Sequence, residues 1–199
     1  MTNIDQLKKQ TIGIEIELTG LSREKAACVL GDFFGTTAQY IGGTYRAYNI
    51  TDGKNRVWQI MRDSSIRPER KEKGRLVYAG DEYKVEVVSP VLHYEDIEEL
   101  QEIVRTLRRN GAMANSSTGI HVHVGAQKFT PKTLRNIVNI VASKEDILYR
   151  ALQVDENRIG YCKKTNERLL QAINTHKPQT MEALKELWYR EDPHNTNYH

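Results

Sequence analysis

Hydrophobic and polar residues alternate in several short segments of the first half of the chain, a pattern typical of strands that bury one face. Residues 11–18, 83–90 and 119–125 each predict a strand, and residues 44–65 predict a hairpin that turns near Asp52. Together these segments predict a sheet of about five strands, most of them antiparallel to their neighbours.

Apolar residues at intervals of three and four predict helices between and after these strands. One helix is predicted from Ser22 to about Phe34, and a second over residues 94–110, where acids at the start and bases at the end match the helix dipole. Gly111 is placed to end the second helix. After residue 126 the pattern is mostly helical, with helices that open at Thr130-Pro131 and extend over residues 163–175 and 180–190.

The order of these elements predicts an α+β fold, in which an antiparallel-leaning sheet carries helices packed on one face. The helices would cover the apolar side of the sheet, so the polar side chains of the strands would point to the opposite side. We expect the 199 residues to form a single domain, since this length can bury a substantial core.

Two acids interrupt the first strand in the segment "GIEIE", residues 13–17. Because side chains alternate along a strand, Glu15 and Glu17 would share one face and start roughly 6.5–7 Å apart. Two carboxylates so placed repel each other unless a cation lies between them. An acidic pair on an exposed sheet face is weak evidence by itself.

Other strands repeat the arrangement. Glu86 lies on the polar side of an apolar strand, and His121 and His123 share a face in "GIHVHVG". Asp63 follows the second strand of the hairpin. Each residue alone has an ordinary structural explanation, but strand after strand places a ligand-type group on its polar face. The set therefore predicts a binding site formed by several strands.

Several carboxylates with one or two imidazoles favour a hard divalent cation, Mg²⁺ or Mn²⁺, over zinc. Without a metal, at least one of these acids should have a raised pKa. Hard cations on an acidic sheet commonly hold nucleotide phosphates. Since the sequence contains no P-loop motif, an ATP site would have to be built from the sheet and its metal ions.

The composition of the chain limits the classes of protein to which it can belong. Hydrophobic residues make up 39% of the chain and charged residues 28%, ordinary values for a globular protein, and no apolar run is long enough to predict a membrane span. Two cysteines and the absence of a secretion signal predict a cytoplasmic protein.

The net charge of the chain is +3, and much of it lies in residues 67–75, where a solvated loop is favoured over a phosphate-binding patch. We expect neither nucleic acid nor a membrane as a partner.

Five motifs follow one another along the chain: "GIEIE", "RDSSI", "VEVVSP", "SSTGIHVHVG" and "YCKK". In this order they resemble the motifs of the amidoligase family, within the superfamily of glutamine synthetase and γ-glutamylcysteine synthetase. The resemblance extends from residue 11 over nearly the whole chain, and "GxExE" with a downstream "GxHVHVG" is its most specific pair.

The resemblance implies an ATP-dependent carboxylate–amine ligase that works through an acyl phosphate, with two or three Mg²⁺ ions on a glutamine-synthetase-like sheet. It implies metal ligation by Glu15, Glu17, Glu86 and His121, and a metal or substrate-side role for Asp63. It further implies that His123 lies near the nucleotide phosphates and that Arg62 and Arg158 are candidates for binding anionic groups. The substrates would be small-molecule or peptide carboxylates and amines; the resemblance does not define the oligomeric state.

The chain departs from the family at its C-terminal end. Members usually continue beyond the equivalent of "HNTNYH" into a Glu-Phe-Arg-type motif, so we expect the domain to lack its C-terminal portion. Two alternatives to the ligase therefore stay open. One is a metal-dependent hydrolase that uses the same acids and histidines to activate water. The other is a non-catalytic remnant.

Overall fold

The computed structural model describes residues 3–158, 160 and 162–191. These residues fall into two compact units, one up to Gly125 and one from Ala126. The first unit contains the strands and three helices, and the second contains helices alone.

A six-stranded sheet forms the frame of the first unit, and every neighbouring pair of its strands is antiparallel. A separate two-stranded hairpin accompanies it. The strands are β1 (Ile12–Leu18), β2 (Gln39–Gly42), β3 (Ala47–Thr51), β4 (Val57–Met61), β5 (Glu69–Glu72), β6 (Arg75–Tyr78), β7 (Val85–Val88) and β8 (Ile120–Val124). The order across the large sheet is β2-β3-β4-β7-β1-β8, and β5 pairs with β6. The predicted α+β class with a mostly antiparallel sheet is confirmed.

Helices α2 (Arg23–Phe34) and α3 (Ile97–Arg109) supply side chains to the apolar core of the first unit, while α1 (Asn3–Lys8) precedes β1. The core forms because alternate strand residues point to one side of the sheet, where the apolar stripe of each helix covers them. The fully buried side chains of this core include Leu30, Ile50, Trp58, Ile60, Val85, Val87 and Ile103.

The predicted helix ends are close to those observed. The Ser22 hydroxyl accepts a hydrogen bond from the main-chain N–H of Lys25, and Gly35 takes the left-handed conformation that ends α2. A 3-10 turn over Tyr94–Asp96 leads into α3, and Gly111, with φ +105°, follows its last turn. The capping signals therefore predicted both helices to within a few residues.

A buried ion-pair cluster lies where the β3–β4 turn meets the start of α3. Asp96 is almost fully buried, and its carboxylate accepts hydrogen bonds from Arg56 at 2.8 Å and Lys54 at 2.5 Å. Asp52, also buried, accepts from Arg56 and from the Trp58 indole. Burial favours the protonated form of Asp96, but the hydrogen bonds from Arg56 and Lys54 outweigh it and lower the pKa of the carboxyl.

The second unit consists of four helices, of which α4, α6 and α7 contribute side chains to its small core. They are α4 (Pro131–Ala142), α5 (Glu145–Ala151), α6 (Glu167–His176) and α7 (Met181–Glu191). The hydroxyl of Thr130 accepts from the Thr133 N–H, and that of Thr180 accepts from the Ala183 N–H. The buried core residues are Leu169, Ile173, Leu184 and Leu187.

Two details differ from the sequence predictions. Residues 67–75 are not simply a loop, because β5 and β6 pair there through a turn in which Lys73 and Gly74 both have positive φ, as tight hairpin turns require. The large sheet also has six strands rather than five. The additional strand is β2, which pairs with β3 across a bulge and has no alternating pattern of its own.

Candidate metal centre

Cross-strand register brings the predicted acids together on one side of the sheet. In the pairing of β1 with β7, Glu17 lies directly opposite Glu86. In the pairing of β1 with β8, Glu15 lies opposite His121, and Gly13 lies opposite His123. Directly opposed residues project to the same face, so β1, β7 and β8 present these side chains as one group.

The two histidines converge on a single carboxylate. The Nδ1 atom of His121 lies 2.8 Å from one oxygen of Glu15, and the Nε2 atom of His123 lies 3.1 Å from the other. The second ring nitrogen of His121 lies 3.9 Å from Glu17. His121 therefore reaches both acids of "GIEIE", while His123 reaches only the first.

Two sets of three side chains bring their ligand atoms within 4.8 Å of one another. The first set is Glu15, Glu86 and His121, and the second is Glu17, Asp63 and Glu86. Glu86 belongs to both sets, so the arrangement could hold two neighbouring cations that share one carboxylate. Asp63, which follows β4, is the one member that does not lie on a strand of the sheet.

Glu17 is the most enclosed acid of the group, with 5% of its surface exposed. Its Oε2 atom accepts a hydrogen bond of 2.6 Å from the main-chain N–H of Gly119. Asp63 lies close enough for its charge to raise the pKa of the Glu17 carboxyl.

The pKa values reflect this crowding of acids. Burial, together with the charges of Glu15, Asp63 and Glu17, raises the pKa of Glu86 to about 7. Burial and the neighbouring Asp63 likewise raise the pKa of Glu17. Both shifts have the direction expected for a metal-free site, since a cation between the carboxylates would remove their repulsion.

The two candidate arginines, Arg62 and Arg158, belong to different units of the chain. The Nε atom of Arg62 lies 2.7 Å from Asp81, whose carboxylate also pairs with Arg23 and Arg46. Arg62 is thus held beside Asp63 by an ion pair that sequence reasoning did not identify. Arg158 ends a 3-10 turn of the second unit, and its role stays a prediction. In the "YCKK" motif, Tyr161 lies outside the described residues, as does the "HNTNYH" segment.

Sequence reasoning also missed the loop that holds Glu17. The Asn115 carboxamide accepts from the N–H and hydroxyl of Ser117 and donates to the carboxylate of Glu69 at the base of β5. These bonds order the turn before Gly119, whose N–H then points at Glu17. The "NSSTG" composition is a turn signal that could have indicated this loop.

A cleft of about 740 Å³ in the first unit borders the acid cluster at Glu17. Its walls include Val104 and Leu107 of α3, with Ile16 and Ile120 of the sheet. The edge strand β8 is exposed here as well: Val122 and Val124, which alternation predicts on the covered side, are 61% and 50% exposed. Glu17 lines this cleft, whereas the other acids of the cluster do not.

The fold and the site together define a class: an α+β protein whose antiparallel sheet presents a cluster of carboxylates and histidines suited to hard divalent cations. Residues 8–199 match the protein family described as "Putative amidoligase enzyme". Because the match spans nearly all of the chain, the chain belongs to this amidoligase family, as its motifs predicted. No match was found among curated proteins or among solved structures. Within the described residues, every helix is too short or too polar to cross a membrane.

Proposed function

We propose that this protein is an ATP-dependent carboxylate–amine ligase whose sheet holds Mg²⁺ or Mn²⁺ ions, in an arrangement like that of glutamine-synthetase-type catalytic domains. The observation that carries the proposal is the sharing of Glu86 between two sets of ligand atoms, each spanning no more than 4.8 Å. A single ion would need only one set. Two sets with a common carboxylate suit a pair of cations that hold a polyphosphate.

The donor atoms fit such ions. Four of the five side chains are carboxylates and one is an imidazole, a combination that suits Mg²⁺ and Mn²⁺ better than zinc. The cations would be held by Glu15, Glu17, Glu86 and His121, with Asp63 as a further acid. Bound there, they would neutralise the phosphate charge that otherwise repels a carboxylate substrate.

The proposed reaction has two steps. A substrate carboxylate oxygen attacks the γ-phosphorus of ATP, the bond to the β-phosphate oxygen breaks, and ADP leaves. The amine nitrogen then attacks the acyl carbon, the carbon–oxygen bond to phosphate breaks, and the amine gives up a proton as the amide forms.

Two side chains near the acid cluster are proposed to contact the anionic groups of the substrates. His123 lies 3.1 Å from Glu15, at the edge of the acid cluster, where it would face a phosphate oxygen. Arg62 precedes Asp63 and is oriented by Asp81, so one guanidinium edge is fixed. Arg158, in the second unit, is proposed to bind an anionic group on the basis of the family resemblance alone.

A coupled assay tests the proposal. The protein is incubated with Mg-ATP, hydroxylamine as the amine, and a panel of carboxylates that includes glutamate and short acidic peptides. Formation of ADP and of an acyl hydroxamate in equal amounts is the expected result. Glu17→Gln should abolish both products, whereas Glu24→Gln, a change at an exposed acid in the first turn of α2, should leave them unchanged.

Binding is tested separately by thermal unfolding. Mg²⁺ with ADP or ATP should raise the melting temperature, because a ligand that binds only the native state stabilises it. The absence of any shift at millimolar nucleotide would contradict the ligase. Cleavage of amide substrates with metal alone, without nucleotide, would identify the hydrolase instead.

A further inference from the structure

A row of polar side chains, interrupted by Val88 of β7, crosses the sheet at the level of Glu15. The register pairs Gln39 of β2 with Asn49 of β3, and Asn49 with Gln59 of β4. Val88 of β7 lies opposite both Gln59 and Glu15. Since opposed residues share a face, the three amides project to the same side of the sheet as the acids.

Asn49 and Gln59 form a hydrogen-bonded pair in which one donor and one acceptor stay available for a further partner. The Gln59 amide nitrogen donates to the Asn49 oxygen at 2.9 Å, and both side chains are only partly buried. Within the described residues, this bond leaves the Asn49 NH₂ group as a donor and the Gln59 oxygen as an acceptor. If both amides were rotated, the pair would again present one donor and one acceptor.

The neighbours of this pair on its own two strands are neutral. The other residues of β3 and β4 on this face are Ala47, Thr51, Val57 and Met61. A charged ammonium or carboxylate group would bind best to a charged partner. A donor and an acceptor side by side among neutral residues instead match the N–H and C=O that one residue of an extended chain directs to the same side.

The spacing connects this pair to the acids. Gln59 and Glu15 are two strands apart, a distance of about 10 Å between backbones. Two to three residues of extended chain span that distance. A peptide whose carboxylate lies at the acid cluster would therefore place the main-chain N–H and C=O of a preceding residue over Asn49 and Gln59.

From this juxtaposition we infer that the carboxylate substrate is a peptide, bound to the Asn49–Gln59 pair through the main-chain N–H and C=O of one residue while its carboxylate reaches the acid cluster. This inference rests on the proposed ligase function for its reaction, but the peptide site stands on the register and the hydrogen bond alone. Asn49 and Gln59 are thus residues that determine substrate specificity and are not catalytic.

The test compares two carboxylates in the hydroxamate assay: N-acetyl-Ala-Ala-Glu and free glutamate. With the wild-type protein, the peptide should have the higher kcat/KM. Asn49→Leu and Gln59→Met should each raise the KM for the peptide by about tenfold, the effect expected for one lost hydrogen bond, with kcat retained and turnover of glutamate unchanged. Thr51→Val, on the same strand and face, is the matched control and should change neither substrate.

A binding measurement separates this inference from the ligase proposal. In ¹⁵N spectra recorded with Mg²⁺ and without nucleotide, the capped peptide should shift the side-chain amide signals of Asn49 and Gln59. If these signals shift but no hydroxamate forms, the ligase proposal fails and the peptide site stands. If the signals do not shift, or if both variants affect peptide and glutamate equally, the peptide site is overturned.

Discussion

His121 lies directly opposite Glu15 in the pairing of β1 with β8, and 2.8 Å separates its Nδ1 atom from the Glu15 carboxylate. The other ring nitrogen is directed toward Glu17, 3.9 Å away. Glu15 therefore fixes the orientation of the imidazole, and the free nitrogen is presented to the position between the acids, as carboxylates do for histidines that bind metals.

This relationship predicts how two variants affect the binding of Mn²⁺. His121→Ala removes a ligand atom and should weaken Mn²⁺ binding by at least about tenfold. Glu15→Gln preserves a hydrogen-bond acceptor for the ring but removes a charge, so binding should weaken while the imidazole stays oriented. Titration calorimetry with Mn²⁺ measures both, and His176→Ala, at an exposed position in the last turn of α6, is the control. Equal affinity for His121→Ala and the wild type would remove His121 from the ligand set.

The raised pKa of Glu86 predicts how stability depends on pH in the metal-free protein. The folded pKa is about 7 against an ordinary 4.5, so the folded state holds this proton more tightly than the unfolded state. The free energy of unfolding should therefore fall as the pH rises from about 4.5 to 7, by on the order of 2 kcal/mol, and level off above that range. The raised pKa of Glu17 acts in the same direction.

Urea unfolding at a series of pH values, with a chelator present, measures this slope. Glu86→Gln should flatten it, and Glu24→Gln should not. Addition of Mg²⁺ should stabilise the protein more at pH 8 than at pH 5, since the ion competes with protons for the same carboxylates. A metal-free protein that became more stable between pH 5 and 8 would contradict the assignment.

The buried ion-pair cluster predicts a large effect of Asp96→Asn on stability. The change leaves the Arg56 and Lys54 charges without their buried partner, and breaking a buried pair in this way costs about 3 kcal/mol. Asp32→Asn, at an exposed position in α2, should cost less than about 0.5 kcal/mol. Denaturant unfolding compares the two; similar midpoints for both variants would show that the cluster contributes little.

A close backbone approach makes Gly20 intolerant of a side chain. Gly20 has φ +86°, and a Cβ atom there would collide with the carbonyl oxygen of Gly111. Gly20→Ala should therefore destabilise the first unit by about 2 kcal/mol or more. Gly53→Ala is the matched control, since a Cβ at that position meets nothing within 4 Å. Thermal unfolding distinguishes the two, and equal melting temperatures would contradict the predicted collision.

Much of the acid face could be predicted because a strand has a period of two. Once "GIEIE" and "GIHVHVG" were assigned as strands, alternation placed Glu15 with Glu17 and His121 with His123. The neighbours across the sheet could not be obtained this way, because register depends on long-range pairing that no local pattern encodes. The opposition of Glu17 to Glu86 is visible only in the fold.

Other features of the structure could not be predicted from the sequence, for different reasons. Asp81 lies in a short 3-10 turn, and nothing in the local sequence indicates that it gathers Arg62, Arg23 and Arg46. The β5–β6 hairpin was missed because its charged composition resembles a solvated loop. The Lys73-Gly74 dipeptide was the available signal in the sequence, and in the structure both residues have positive φ.

The hydrogen bond from the Gly119 N–H to Glu17 restricts how that carboxylate could coordinate a metal ion. One oxygen of Glu17 already accepts a hydrogen bond from the main chain, so in the proposed site this carboxylate would be biased toward monodentate coordination. Monodentate carboxylates favour the small, strictly octahedral Mg²⁺ over Ca²⁺, which commonly takes both oxygens. One peptide N–H in a turn far along the chain would thus contribute to the choice between these two abundant ions.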